Sequence, residues 1–138
     1  MPEFLPLLPT CVSVLIVDTD EAVRFAMADF LRAHRFEVEC AASADEANAW
    51  LCQRRFDAVL SDLHLGSMVE ASGLDLAHRV RMLSPSTIVC LLTRPAAPEL
   101  MEQAERVADA VLLRPRPLAD IAQILLAFVA RPAPPNGR

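Results

Sequence analysis

Lysine is missing altogether, and all 13 basic side chains other than histidine are arginines. Any mechanism that needs a lysine amine is therefore excluded. Tyrosine is missing too. Six Phe and one Trp cannot fill a core alone, so Leu, Val, Ile and Ala must do most of it. Cys11, Cys40, Cys52 and Cys90 form no Cys-x-x-Cys pair and do not stand at zinc-ligand spacing. They read as thiols in a reducing cytoplasm. No basic stripe is visible and the net charge is −5, which argues against nucleic-acid binding by these residues. The opening "MPEFLPLLPT" is apolar but holds three prolines and no basic flank. It is a poor signal peptide and too short to span a membrane.

What is present is enough for one folded domain. The 138 residues are 54% hydrophobic and 22% charged. Strand-like and helix-like segments alternate. "SVLIVD" (13–18) is a continuous apolar run suited to a strand buried on both faces. Residues 20–35 carry Val23, Ala26, Met27, Phe30 and Leu31 at helical spacing, with Thr19 or Asp20 as cap. Strands follow at 36–41, 56–63, 86–93 and 109–114, and helices at 43–55, 72–83, 97–108 and 117–130. Ser43 with Glu46 three residues on is a capping-box signature. The domain occupies 12–130, preceded by an extension (1–11) and followed by a Pro-rich tail or linker (131–138).

Five strand–helix units in succession imply an α/β parallel sheet with helices on both faces. In such sheets the working crevice lies beyond the carboxyl ends of the strands. The residues closing the strands are Asp18 with Thr19, Asp62, Thr93 and Arg114. Two carboxylates sharing a crevice repel each other unless a cation or a proton intervenes. Mg²⁺ is the natural guest, because it takes a few carboxylates and keeps waters. A carboxylate beside a metal and a fixed cation can act as a nucleophile on phosphorus, with the cations stabilising equatorial oxygens. The bland alternative is a set of polar residues capping buried strands.

The chain resembles the response-regulator receiver domains of two-component signalling over about residues 12–130. The likeness rests on "VLIVDTDEAVR", "DAVLSDLHLG", "GLDLAHRVR", "IVCLLT" and "AVLLRP". Intervals of 44, 31 and 21 residues separate Asp18, Asp62, Thr93 and Arg114, and they are family-like. The resemblance implies a flavodoxin-like, doubly wound sheet of five parallel strands with five helices. It implies that Asp62 accepts a phosphoryl group from a sensor histidine kinase or phosphotransfer protein. Thr93 is then the switch hydroxyl and Arg114 the cation that reads the phosphoryl group. Asp18, Asp62 and the backbone carbonyl of His64 would hold Mg²⁺. Such a domain is a cytoplasmic signalling switch rather than an enzyme.

The departures from the family pattern bear on the same pocket. Thr19 stands where the family has its direct metal ligand, so Mg²⁺ binding is weakened. Losing that negative charge also lowers the Asp62 pKa relative to a site with both acids. Arg114 replaces the family's lysine, and a planar fork is not a point-like ammonium. Arg94 replaces a small residue, and Val111 a Tyr or Phe. The loop after Asp62 is longer, with Gly66 in place of a common proline. These arginines suggest that Arg94 or Arg114 pairs with Asp62 and stands in for part of the metal's charge.

Two other readings compete. In a degenerate receiver, the fold works as a phosphorylation-independent interaction or dimerisation module. The apolar fifth helix (Leu118, Ile121, Ile124, Leu125, Leu126, Phe128, Val129) suits a homodimer through the fourth and fifth helices, or else a broad core-facing stripe. "VDTDEAV" also fits the first motif of haloacid-dehalogenase-like phosphatases, with Asp18 as nucleophile and Asp20 as acid. That reading lacks the required lysine and a later acidic pair.

Overall fold

A computed structural model describes residues 11–65 and 72–130. The tail, the loop with Gly66 and all of the extension except Cys11 lie outside these residues. Ten elements alternate along the chain: β1 (Val12–Val17), α1 (Glu21–Ala33), β2 (Phe36–Ala41), α2 (Ala44–Gln53) and β3 (Ala58–Asp62), then α3 (Ser72–Leu83), β4 (Ile88–Thr93), α4 (Pro98–Val107), β5 (Ala110–Leu113) and α5 (Leu118–Val129). The strands form one parallel sheet in the order β2-β1-β3-β4-β5. The expected flavodoxin-like, doubly wound architecture is the one observed.

Period-two alternation divides the core between the two faces of the sheet. Val12, Val14 and Ile16 of β1 pack with Met27, Ala28 and Leu31 of α1 and with Ile121, Ala122 and Leu125 of α5. Leu15 and Val17 face the other way, toward Ala47 of α2, Leu76, Ala77 and Val80 of α3, and Ala104 and Val107 of α4. Both sides of β1 are thus covered, so its sequence reads as unbroken apolar residues. Each fully buried Leu or Val contributes roughly 1.5–3 kcal/mol. On α5 the core also takes Leu118, Ile124 and Val129, which accounts for most of its apolar stripe. Leu126 stays exposed, as does Leu113 on β5.

The helix starts follow local chemistry. Asp20, not Thr19, caps α1: its side chain accepts a hydrogen bond from the Val23 amide at 3.2 Å. Ser43 accepts from the Glu46 amide at 3.1 Å, and Glu46 accepts from the Ala42 amide at 2.8 Å, one residue earlier than the usual reciprocal bond. The pattern carries α1 to Arg35, but the helix stops at Ala33 because Arg35 takes φ 74°, a left-handed value.

Arg81 of α3 fastens the opposite end of the sheet. Its guanidinium donates to the Val107 carbonyl at 2.8 Å, to the Thr87 carbonyl at 3.1 Å and to Asp109. Asp109 also accepts from the Val89 amide at 2.8 Å. Among the described residues no helix is long and apolar enough to cross a membrane.

Candidate functional site

The strand register assembles the site. Val17 of β1 stands opposite Ser61 of β3, so one step further the chains reach Asp18 and Asp62. Asp62 stands opposite Leu92 of β4, one residue before Thr93. Thr93 stands opposite Leu113 of β5, one residue before Arg114. Backbone bonds carry the alignment past the strand ends, from the Leu63 amide to the Leu92 carbonyl and from the Arg114 amide to the Thr93 carbonyl, both at 2.8 Å. All four residues that sequence reasoning singled out therefore share one rim.

Asp18 is only 2% exposed and every polar part of it is engaged. Oδ2 accepts from Arg114 Nη2 at 2.7 Å, and Oδ1 accepts from the Asp20 amide at 2.9 Å. Its carbonyl accepts from Arg24 Nη1 at 2.8 Å. Arg114 thus pairs with Asp18, whereas sequence reasoning gave it to Asp62. The register explains the difference, because it brings strand ends together without specifying which carboxylate a long guanidinium will reach. Arg114 Nε is buried and has no hydrogen-bond partner among the described residues. Arg94 is exposed, and its side chain makes no hydrogen bond or ion pair among them. The Asp20 side chain is committed to capping α1, so the acid role the phosphatase reading gives it is already filled.

Asp62 is half-buried, with Oδ1 accepting from the His64 amide at 3.3 Å. Burial pushes its carboxyl above the ordinary carboxylate range. The His64 amide and the Arg114 charge pull it down, the Asp18 charge pushes it up again, and the His64 ring lowers it slightly. Thr93 is buried and its hydroxyl donates to the Arg94 carbonyl at 2.6 Å. Thr19 is exposed.

One contributor escaped sequence reasoning. Gly73, near the start of α3, lies directly on the end of β3: a Cβ there would sit 2.1 Å from the Asp62 carbonyl oxygen. Its amide donates to the Leu63 carbonyl at 2.8 Å. Gly73 opens the "GLDLAHRVR" motif, and what the motif did not show was this close approach. Beside the rim, a cavity of about 650 Å³ runs between α1 and α5. Arg94, Arg114 and Arg116 line it with Met27, Leu92 and Leu118, and no acidic residue does.

The donor set does not suit a tightly held divalent cation in this arrangement. Asp18 already has a guanidinium on one oxygen and an amide on the other. Among the described residues no group of three or more His, Cys, Asp or Glu could hold a metal. A cation placed on Asp18 would meet the positive charge of Arg114 at close range.

Comparison with known proteins gives one consistent pattern. The family described as "Response regulator receiver domain" matches residues 14–125. A response regulator receiver protein of Anaeromyxobacter sp. (strain Fw109-5) is 32% identical over 105 residues, 76% of this chain and 42% of that protein. The regulatory protein VirG of Agrobacterium fabrum is 32% identical over 94 residues, covering 68% of this chain and 34% of VirG. This chain therefore spans less than half the length of these two relatives. Among solved structures, the chemotaxis response regulator CheY4 of Vibrio cholerae superposes with TM-score 0.74 at 30% identity, over 85% of this chain and 100% of that one. A Burkholderia pseudomallei response regulator, solved with a phosphorylated aspartic acid, a calcium ion and citrate, gives TM-score 0.75 at 27% identity. That match covers 86% of this chain and 69% of the other.

Proposed function

Since this chain belongs to the response regulator receiver family, we propose that Asp62 accepts a phosphoryl group from a sensor histidine kinase or phosphotransfer protein and that the domain is a phosphorylation-dependent switch. Receiver domains interact with such proteins, act in signalling rather than as enzymes, and typically bind Mg²⁺. The observation that carries the reading is Asp62 itself. It is a half-buried carboxylate closing the central strand, in register with Asp18, Thr93 and Arg114. The Burkholderia relative with its phosphorylated aspartate supports it.

In this reading an Asp62 carboxylate oxygen attacks phosphorus, the bond to the donor breaks, and its electron pair leaves with the donor. The His64 amide holds the other carboxylate oxygen and keeps the nucleophile aimed. Thr93 turns its hydroxyl from the Arg94 carbonyl toward the new phosphoryl oxygens. Arg94, exposed at the rim, limits which donors can approach. Asp62 and the His64 carbonyl would be the residues to hold Mg²⁺, which would supply positive charge there, with Asp18 available only if Arg114 releases it and Thr19 supplying no carboxylate. The four unpaired thiols fit a cytoplasmic setting.

The test is intact-mass analysis after incubation with a small acyl-phosphate donor. The chain gains one phosphoryl group and Asp62→Asn gains none. A gain that survives Asp62→Asn, or no gain from any donor, refutes the reading. Exposed Leu126 on α5 suits a second reading, in which the fold also acts through a homodimer that includes the fifth helix. Sedimentation over a concentration range tests it, and a monomer at the highest concentration rejects it.

A further inference from the structure

We propose that Arg114 is the resident counter-ion of the acidic pocket and competes with divalent cations for Asp18, so that a metal binds through Asp18 only when the Arg114–Asp18 pair opens. The inference rests on the rim being the receiver's acidic pocket, but not on phosphoryl transfer.

Four observations carry it. Asp18 is nearly fully buried, so its charge needs a partner close by, and Arg114 supplies one at 2.7 Å. The second Asp18 oxygen is held by the Asp20 amide, which fixes the carboxylate facing Arg114. Thr19 brings no charge, so the guanidinium answers the one fully buried carboxylate, and only half-buried Asp62 remains to draw a second cation. Finally, Arg114 is anchored through its own amide to Thr93, and the cavity beside it holds no acid to draw it away. A point-like ammonium would share such a pocket with a metal more easily. The guanidinium reaches Asp18 through Nη2 on Oδ2, and a cation on the same oxygen must displace it. Arg114 here positions and balances Asp18, and it sets how much metal the pocket demands.

The experiment is an Mg²⁺ titration of the unphosphorylated chain, followed by amide and arginine Nε–Hε NMR signals. Native protein is compared with Arg114→Gln, and circular dichroism checks the fold. Arg114→Gln is expected to bind Mg²⁺ at least about tenfold more tightly, read at Asp18, Asp20 and Asp62. In the native chain the Arg114 Nε–Hε signal should move with the same midpoint as the Asp18 amide. Equal affinities in the two proteins overturn the proposal, and so does Mg²⁺ failing to bind either one. Movement of the Asp18 amide with a stationary Arg114 signal overturns it as well. Should Arg114→Gln fail to fold, that last comparison decides the matter in the native chain alone. Failure of Asp62 to accept a phosphoryl group would sink the proposed function and leave this titration unaffected.

Discussion

Replacing Gly73 by alanine sets two forces against each other. Inside a helix, alanine is better than glycine by about 1 kcal/mol, so local propensity predicts a more stable protein. Packing predicts the reverse. The new Cβ would lie 2.1 Å from the Asp62 carbonyl oxygen and 2.8 Å from both Leu63 Cα and the Leu63 carbonyl oxygen. All three neighbours are backbone atoms of the acceptor strand and its exit, so no flexible side chain can yield. Relief requires α3 to withdraw by roughly 1 Å, and overpacking of this kind costs about 1–3 kcal/mol. The withdrawal also stretches the 2.8 Å bond from the Gly73 amide to the Leu63 carbonyl. A buried bond lost in this way costs a further 1–3 kcal/mol or so. Setting the propensity gain against these costs leaves a net destabilisation of about 1–5 kcal/mol. That is a large share of the roughly 5–15 kcal/mol that holds a domain together. Urea unfolding followed by circular dichroism measures it as a lower midpoint at unchanged slope. The acceptor carboxylate is attached to the same displaced backbone, so phosphoryl uptake should fall as well. A Gly73→Ala protein as stable as the parent would refute the close approach of α3 to the acceptor strand.

Other expectations follow from the same coordinates. Native Asp62 holds its proton more tightly than the unfolded chain does. Its ionisation therefore weakens the fold above the native pKa, and that penalty disappears as pH falls through it. Asp62→Asn should raise the melting temperature at neutral pH, with the advantage shrinking in acid, and a pH-independent difference would contradict this. Arg81→Ala removes the bonds to the Val107 and Thr87 carbonyls and leaves Asp109 without its guanidinium. It should cost about 2–3 kcal/mol, checked by the same urea titration, and a loss under 0.5 kcal/mol would show that the cluster contributes little. Burial pushes the Cys90 thiol up to about 12 and raises that of Cys40, while Cys11 and Cys52 are exposed. A thiol reagent should modify Cys11 and Cys52 quickly and Cys90 only after unfolding, with peptide mapping to identify each site.

Much of the candidate site was legible before any coordinates. Buried parallel strands read as short apolar runs, and all but β2 end on or just before a polar residue at the sheet's rim. Asp18, Asp62, Thr93 and Arg114 were found in this way, and the sheet register brings them together. The caps at Asp20 and Ser43 were equally readable, because capping is settled within three or four residues. Partner choice was not readable. Which carboxylate Arg114 reaches depends on the spacing across β1, β3, β4 and β5, and neighbouring residues carry no record of it. The Thr93 hydroxyl bond to the Arg94 carbonyl is a rotamer choice made within the packed rim. The Arg81–Asp109 cluster joins residues 28 apart in sequence across three elements, and no periodicity marks it.

By itself, then, the sequence determined the alternation of five strands and five helices, the two faces of the core and the rim where polar residues gather. These follow from local hydrophobic period, capping chemistry and the connection rules of parallel sheets. Only the tertiary structure decided that Arg114 belongs to Asp18, that burial is the largest influence raising the Asp62 pKa, and that α3 rests on β3 through Gly73. Charge pairing, desolvation and close approach depend on distances between segments far apart in the chain, and those distances exist only once the sheet has closed around its core.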